Sequence, residues 1–357
     1  MKKFMRSLGI GSSRTSRPSQ RPVQMERERS PSSRASSPQS DSGVLSGLPR
    51  RSTSESEFAL LPPRAERKAI ALRESLQNSN HVSHEIEFYA QAALSAAKSG
   101  SNQEITRLDA QNKHILANAY NERHSGLQLS CHDSAQSFFG EFISSQEPAW
   151  RSLVQLSPSS FHHVAVDVRF QDGKRTMVVL EPALAYGEGE AGDIKFLAGY
   201  EPLGRNVQAY LGENGDLAVV SLGAQKSNFD CIIFSLNLAL CAYQKDSVLD
   251  DLHESLRKNV RCFSSGEEKS VVHKNIEFID GTKFLPAIFF KHAHSRGTVN
   301  EVLDNQPHLS EKNVSTGRNN SSETLSERVQ DFRVEREKSY SMSIEASRLR
   351  KIRKAIE

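Results

Sequence analysis

The sequence predicts an α+β domain behind an unfolded leader, and three observations carry that expectation. Apolar residues recur at helical spacing from residue 64 to about 118, and short β-branched runs then alternate with helices as far as 243. The first sixty residues hold sixteen Ser, nine Arg and five Pro. Such a composition cannot bury enough apolar surface to offset its conformational entropy, so the segment reads as disordered.

Order is expected to begin near Pro62-Pro63. Ala69, Leu72 and Leu76 mark a helix over 64–77, and Ile86, Tyr89, Ala90 and Leu94 mark another over 83–98. A third helix fits 104–118. Residues 127–129 then read as a short strand, 133–143 as a helix and 152–156 as a strand. The runs 161–170 and 175–180 are rich in β-branched residues, and Asp172-Gly173 between them is a strong hairpin turn. A strand over 217–222 leads to a helix from about 230 to 243. Residues 305–325 are polar and read as a mobile insertion. The segment 326–357 is helical in pattern and ends in a basic run of Arg348, Arg350, Lys351, Arg353 and Lys354.

Composition excludes several classes of function. A chain of 357 residues can hold one or two domains with a sizeable core, yet 37% hydrophobic content is low for one that is wholly folded. Net charge is only +3, with eleven Lys/Arg against five Asp/Glu in residues 1–60, which leaves about −3 for the rest. Nothing here marks a nucleic-acid binder. Four cysteines (Cys131, Cys231, Cys241, Cys262) lie at no paired spacing, which argues against a disulfide scaffold and a zinc site. No apolar run approaches the roughly 20 residues needed to span a bilayer. The first residues lack both an apolar signal core and a glycine at position 2 for myristoylation.

Two segments can carry chemistry. In the first, polar residues from Gln225 run into an apolar helix whose first turn contains Cys231. The positive end of a helix stabilises a thiolate, although a lone cysteine opening an apolar helix is more often structural. In the second, alternation puts His162, Val164, Val166, Val168 and Phe170 on one, core-facing side of a strand. His163, Ala165, Asp167 and Arg169 fall on the other, polar side. If Asp172-Gly173 is a two-residue turn, Val164 pairs with Glu181 and His162 lies diagonally on the same face, about 7 Å away at the backbone. A bulge in the turn would reverse this parity. A carboxylate beside an imidazole fixes its tautomer and stabilises the imidazolium. Cys131-His132 is assigned to structure, His292 and His294 lack a further pair of ligands for a metal, and Trp150 belongs to the core or the cleft rim.

The string from His162 to Asp167, followed by Gly173-Lys174 and by Glu181-Pro182-Ala183, resembles the H-x4-D…G-K…E-P-A segment of YopJ-family effectors. Gln225, Cys231, Phe234 and Ser235 match the family's Q-x5-C-x-x-F-S block, and Leu285 to His292 match L-P-x-x-F-x-K-H. Together they are a specific signal, with one departure: Ile232 stands where many relatives have a small residue. The block sequences and the Ser/Arg-rich leader look most like AvrBsT-type members from plant pathogens.

The resemblance implies a core like the SUMO-protease and adenovirus-protease clan, with His162 as base, Glu181 as its partner, Cys231 as nucleophile and Gln225 as oxyanion donor. It implies acetyl transfer from acetyl-CoA through a Cys231 thioester to Ser, Thr or Lys of host proteins. It also implies activation by inositol hexakisphosphate in a basic pocket, for which Arg123, Arg348 and Lys351 are the candidates, and acetylation of Lys291 in cis. Residues 1–61 would be a type III secretion leader, served by a chaperone in the bacterium, and the destination would be the host cytoplasm. Residues 62–125 and 326–357 would form a helical regulatory region around a catalytic core at 126–300, with 301–325 mobile. Two competing readings are a cysteine isopeptidase acting on ubiquitin or SUMO conjugates and a non-catalytic adaptor.

Overall fold

The computed structural model describes residues 57–79, 81–100, 103–157, 160–188, 194–197, 199–212, 217–263, 269–273, 275–316 and 322–357. Almost all of the expected leader lies outside the described residues. Packing nevertheless begins before Pro62, because Phe58 and Leu61 are already buried.

Three helices come first among the described residues. Helix α1 (Pro63–Asn78) starts with proline in its first turn and buries Ala65, Ala69 and Leu72. Helix α2 (His84–Ser99) is capped by the Ser83 hydroxyl at one end and by left-handed Gly100 at the other. Helix α3 (Gln103–Asn121) buries Leu108 and Leu116, and with them the polar Asp109, Asn112 and Lys113. All three pack against α10 (Ser343–Ile356), at the far end of the described chain.

The body is a seven-stranded mixed sheet. Its strands are β1 (Leu129–His132), β2 (Ala149–Gln155), β3 (His163–Gln171), β4 (Lys174–Glu181), β7 (Leu217–Ser221), β8 (Ser270–His273) and β9 (Ile276–Asp280), in the order β1-β2-β3-β4-β7-β9-β8. A separate ribbon pairs β5 (Tyr186–Glu188) with β6 (Ile194–Phe196). Helix α4 (Ala135–Ser144) and helix α5 (Tyr200–Leu211) cover one face, where Phe138, Phe142, Leu203 and Val207 meet Val164, Val166, Val179 and Phe278. Helix α6 (Cys231–Gln244) covers the other face and is apolar nearly all round, as befits a helix clasped between the sheet, α3 and α10.

Helices therefore lie on both faces, and the fold is a three-layer mixed α/β arrangement rather than the segregated α+β of the sequence reading. The reason shows in β3. Its supposedly polar side, with His163 and Asp167, is fully buried because Lys113, Arg151, Arg169 and His253 supply partners there.

Two further expectations change. The basic tail is broken into α9 (Leu325–Asp331), a hairpin of β10 (Arg333–Glu335) with β11 (Ser339–Ser341), and α10. The segment 305–316 packs onto the body, with Leu309 and Val314 in the core, and Glu323 beyond it pairs with Arg328. Helices α5, α7 (Asp250–Arg257) and α8 (Arg296–Asn305) were not anticipated.

The β3–β4 turn positions the site. Asp172 and Gly173 have φ of 53° and 73°, the two positive values of a type I′ hairpin, and Gln171 pairs with Lys174. No bulge intervenes, so the register carries on to Ala165 opposite Leu180. Nothing lies near a Cβ at Gly173, so only backbone strain opposes a side chain there. Gly173→Ala is expected to cost about 1–2 kcal/mol in urea unfolding, with activity per folded molecule retained.

Candidate active site

Three chain segments meet at one edge of the sheet. Strands β4 and β7 run parallel, with Glu181 level with Ser221, so both end at the same edge, where antiparallel β3 begins. The loop after β7 folds over that edge and enters α6 at Cys231. Its path is fixed by hydrogen bonds from Leu222 N to Glu181 O and from Gln225 N to Pro182 O.

Glu181 is fully buried. Its Oε2 accepts from His162 Nε2 at 2.7 Å and from the Tyr200 hydroxyl at 2.6 Å, while Oε1 accepts from Ala183 N at 2.8 Å. Burial pushes the carboxyl up, but the His162 charge and these hydrogen bonds hold it below the usual carboxylate range. Burial likewise opposes the His162 imidazolium. The Glu181 carboxylate and a hydrogen bond with Cys231 outweigh it and raise this histidine to about 10. The Cys231 thiol donates to Phe161 O at 3.0 Å, and Ser235, one turn on, donates its hydroxyl to His163 O. The sequence-predicted His162, Glu181 and Cys231 are thus brought together.

The neighbouring His163 has the opposite state. Its Nδ1 donates to Phe161 O at 2.8 Å and its Nε2 lies 3.0 Å from Lys113 Nζ, which requires a neutral ring. Burial lowers it to about 4, and the Lys113 ammonium acts in the same direction. Elsewhere, Cys131 is pushed up to about 12 by burial and His132 is bonded to Glu141, in keeping with a structural assignment. Ile232 is buried in the core rather than standing in the opening.

The remaining predicted site residues divide. Gln225 lies on the loop with its Nε2 donating to Ser227 O at 2.6 Å, and its Oε1 has no partner among the described residues. Lys291 is buried and donates to the Thr316 hydroxyl at 2.6 Å. Burial, with Arg328 and Arg350 nearby, lowers it to about 7.

Arg348 is not free for a ligand: its guanidinium is fully buried and engaged by both oxygens of Asp109 and by Asp230. Lys351 is also buried, 4.5 Å from the Tyr120 ring centroid. Arg123 donates to the carbonyls of Ala119 and Lys354 and closes the end of α10. Other cations gather nearby, and of these Arg328 is paired with Glu323. Lys68 on α1, Lys291, Arg328 on α9 and Arg350 on α10 lie close enough for burial and mutual repulsion to push Lys68 well below its ordinary range. A cavity of about 230 Å³ lined by Lys291, His292, Thr316, Arg350 and Lys354 opens beside them. Sequence reading missed Tyr200, Lys68 and Arg328 because nothing in linear spacing links a tyrosine opening one helix, or two cations on separate helices, to a distant site.

A cysteine at a helix N-terminus, an imidazole beside it and a buried carboxylate behind the imidazole are, on a mixed α/β fold, an arrangement able to support thiol-based acyl transfer or amide cleavage. Residues 80–354 match the family model described as YopJ Serine/Threonine acetyltransferase, and the chain belongs to that family. The acetyltransferase NGR_a02610 of Sinorhizobium fredii is 32% identical over 216 residues, which cover 59% of this chain and 80% of that protein. HopZ1a of Pseudomonas syringae pv. syringae is 27% identical over 313 residues, covering 77% and 82%. HopZ1a in complex with IP6 superposes with a TM-score of 0.70 at 24% identity over 82% of this chain and 97% of that one, and it has also been solved with IP6 and CoA. AvrA delL154 with IP6 and CoA gives a TM-score of 0.61 at 23% identity, covering 76% and 97%. At such identity the superpositions show the fold. The relatives support the family and not the narrower AvrBsT-type assignment.

The His162–Glu181 pair sets a pH window. An imidazole raised from 6.5 stabilises the fold fully below about 6.5 and loses that contribution as pH rises through about 10. A carboxyl lowered from 4.5 contributes fully above 4.5 and loses its share as pH falls below it. Unfolding free energies of wild type minus Glu181→Gln should therefore plateau between about 4.5 and 6.5 and shrink on both sides. NMR titration of His162 in that variant should show its pKa falling. Tyr200→Phe, which removes a single donor, should cost about 1–2 kcal/mol of stability and lower kcat several-fold.

Proposed function

We propose that this protein transfers acetyl groups from acetyl-CoA to serine or threonine hydroxyls of other proteins through a thioester on Cys231. The contact of His162 with both Cys231 and buried Glu181, in a chain of this family, carries the reading. An imidazolium beside sulfur favours the thiolate, as does the helix N-terminus. The thiolate attacks the acetyl carbonyl carbon, the C–S bond to CoA breaks, and the departing thiolate takes the proton held by His162. His162, now neutral, removes the proton of the acceptor hydroxyl as its oxygen attacks the thioester, and Cys231 leaves as thiolate. Glu181 keeps the imidazole oriented through both steps. In this reading the second N–H of the Gln225 amide turns to the oxyanion, a contribution of about 3 kcal/mol to the barrier.

We infer also that inositol hexakisphosphate activates the enzyme. The donor set fits such a group, since Lys68, Lys291 and Arg350 lie together beside the Arg328–Glu323 pair, and the Arg350 Nε is buried without a partner among the described residues. A polyanion relieves the repulsion among them. Arg123 and Lys354 stand nearby at the end of α10, while Arg348 and Lys351 support the pocket from within. Lys291, with basicity lowered to about 7, has a neutral fraction able to accept an acetyl group in cis. Lysines of other proteins remain candidate acceptors on the same chemistry. The Ser/Arg/Pro-rich leader supports export by a type III system, with a chaperone, into host cytoplasm, where host proteins would be the substrates. Among the described residues no helix is long and apolar enough to cross a membrane.

Purified protein incubated with radiolabelled acetyl-CoA should acquire label that requires both Cys231 and inositol hexakisphosphate, with Cys231→Ala folded and unlabelled. A folded wild type that stays unlabelled in either condition would move the assignment to the isopeptidase. Lys68→Gln should weaken inositol hexakisphosphate binding about tenfold in calorimetry while leaving the melting temperature of the free protein equal or higher, because it removes a repelled charge.

A further inference from the structure

Two large apolar side chains stand exposed beside the nucleophile: Phe161 is 52% exposed and Phe229 is 37% exposed. Each is nevertheless tied down through its main chain. The Phe161 carbonyl accepts from the Cys231 thiol at 3.0 Å and from His163 Nδ1 at 2.8 Å. The Phe229 carbonyl accepts from the Thr106 hydroxyl at 3.0 Å, and its N–H donates to the Ser227 hydroxyl oxygen at 3.4 Å. These polar atoms are already engaged, so what the two residues offer to an incoming molecule is ring. Phe161 immediately precedes His162 and Phe229 lies two residues before Cys231, so the rings reach the site from two different segments. A single exposed phenylalanine needs no explanation. Two anchored around the sulfur do, because any molecule that reacts with Cys231 arrives beside them.

We propose that Phe161 and Phe229 set acceptor specificity by taking up an apolar side chain next to the acceptor hydroxyl. The substrate class is then a serine or threonine flanked by leucine-like or aromatic residues, rather than one in a polar stretch. The acetyl donor is the poorer occupant. The arm that carries its thioester holds amides that need hydrogen-bond partners, and the carbonyls of both phenylalanines are spoken for. An apolar residue of the acceptor leaves water against the rings as its neighbouring hydroxyl seats between His162 and the thioester. Binding away from the reacting atoms thereby orients the hydroxyl for attack. The inference rests on the transferase reading of Cys231 and names the acceptors that site would choose.

The test follows the second half of the reaction, with the full chain and inositol hexakisphosphate present. Cys231 is loaded from radiolabelled acetyl-CoA, and its discharge is timed against two peptides that differ only beside one serine. One carries leucine on both sides and the other glycine. Below saturation the leucine peptide should discharge the thioester about tenfold faster. In Phe161→Ala and in Phe229→Ala that ratio should fall below about threefold, and Phe161→Leu should recover part of it. Both side chains are exposed, so neither truncation empties the core. The ratio is read within one enzyme, so a change in overall rate does not imitate the result. A thioester that neither peptide discharges, one that both discharge equally, or a wild-type ratio in both alanine variants would overturn the proposal. A raised KM for acetyl-CoA with the ratio kept would assign the rings to the donor and overturn it too. A wild type that forms no thioester on Cys231 would defeat the transferase reading, and the acceptor site would fall with it.

Discussion

The Glu181 carboxylate has no exposed surface, and three donors keep it charged there: His162, the Tyr200 hydroxyl and the Ala183 N–H. Each comes from a different structural element, so the carboxylate is tolerable only when the start of β3, the first turn of α5 and the loop after β4 are all in place. The constraint runs outward from there. The hairpin register brings His162 to the carboxylate, the β4–β7 pairing brings the nucleophile loop to the same edge, and the phenylalanines of α4 fill the sheet face behind. Orientation of the imidazole is thus inherited from the fold.

Buried charge is treated in two contrasting ways elsewhere. Around Arg348 it is neutralised, with two carboxylates on one guanidinium and Tyr89 and Ser227 taking up remaining lone pairs. Truncating one partner of such a pair costs about 3–5 kcal/mol, because it strands the rest. Around Lys68 and Lys291 burial, with the like charges of Arg328 and Arg350 adding to it, lowers the basicity of both ammonium groups.

Much of this was legible in the sequence where the signal was local. The turn residues Asp172-Gly173, with strict alternation on either side, were enough to bring His162 and Glu181 to one face, and polar-to-apolar transition located the start of α6 at Cys231. Where partners are remote in sequence, the reading failed. His163 and Asp167 were assigned to a polar face because Lys113, Arg151 and His253, which make their burial possible, lie 16 to 86 residues away. The basic run at 348–354 was recognised as a feature, but helix phase alone could not tell which charges point inward. Arg348 and Lys351 do so, and Arg350 turns to the pocket. The break of the tail at the β10–β11 hairpin was missed because its strands are three residues each, too short for alternation to register.

The contact between Asp109 and Arg348 joins residues 239 positions apart. Contacts of such span form late, since most of the chain must be synthesised and ordered before the two ends can meet. During synthesis the sheet, the hairpin and the nucleophile helix can all assemble while the guanidinium that restrains the loop is still unmade. The loop that leads into Cys231 therefore gains its Arg348 restraint only after the sheet on which it rests.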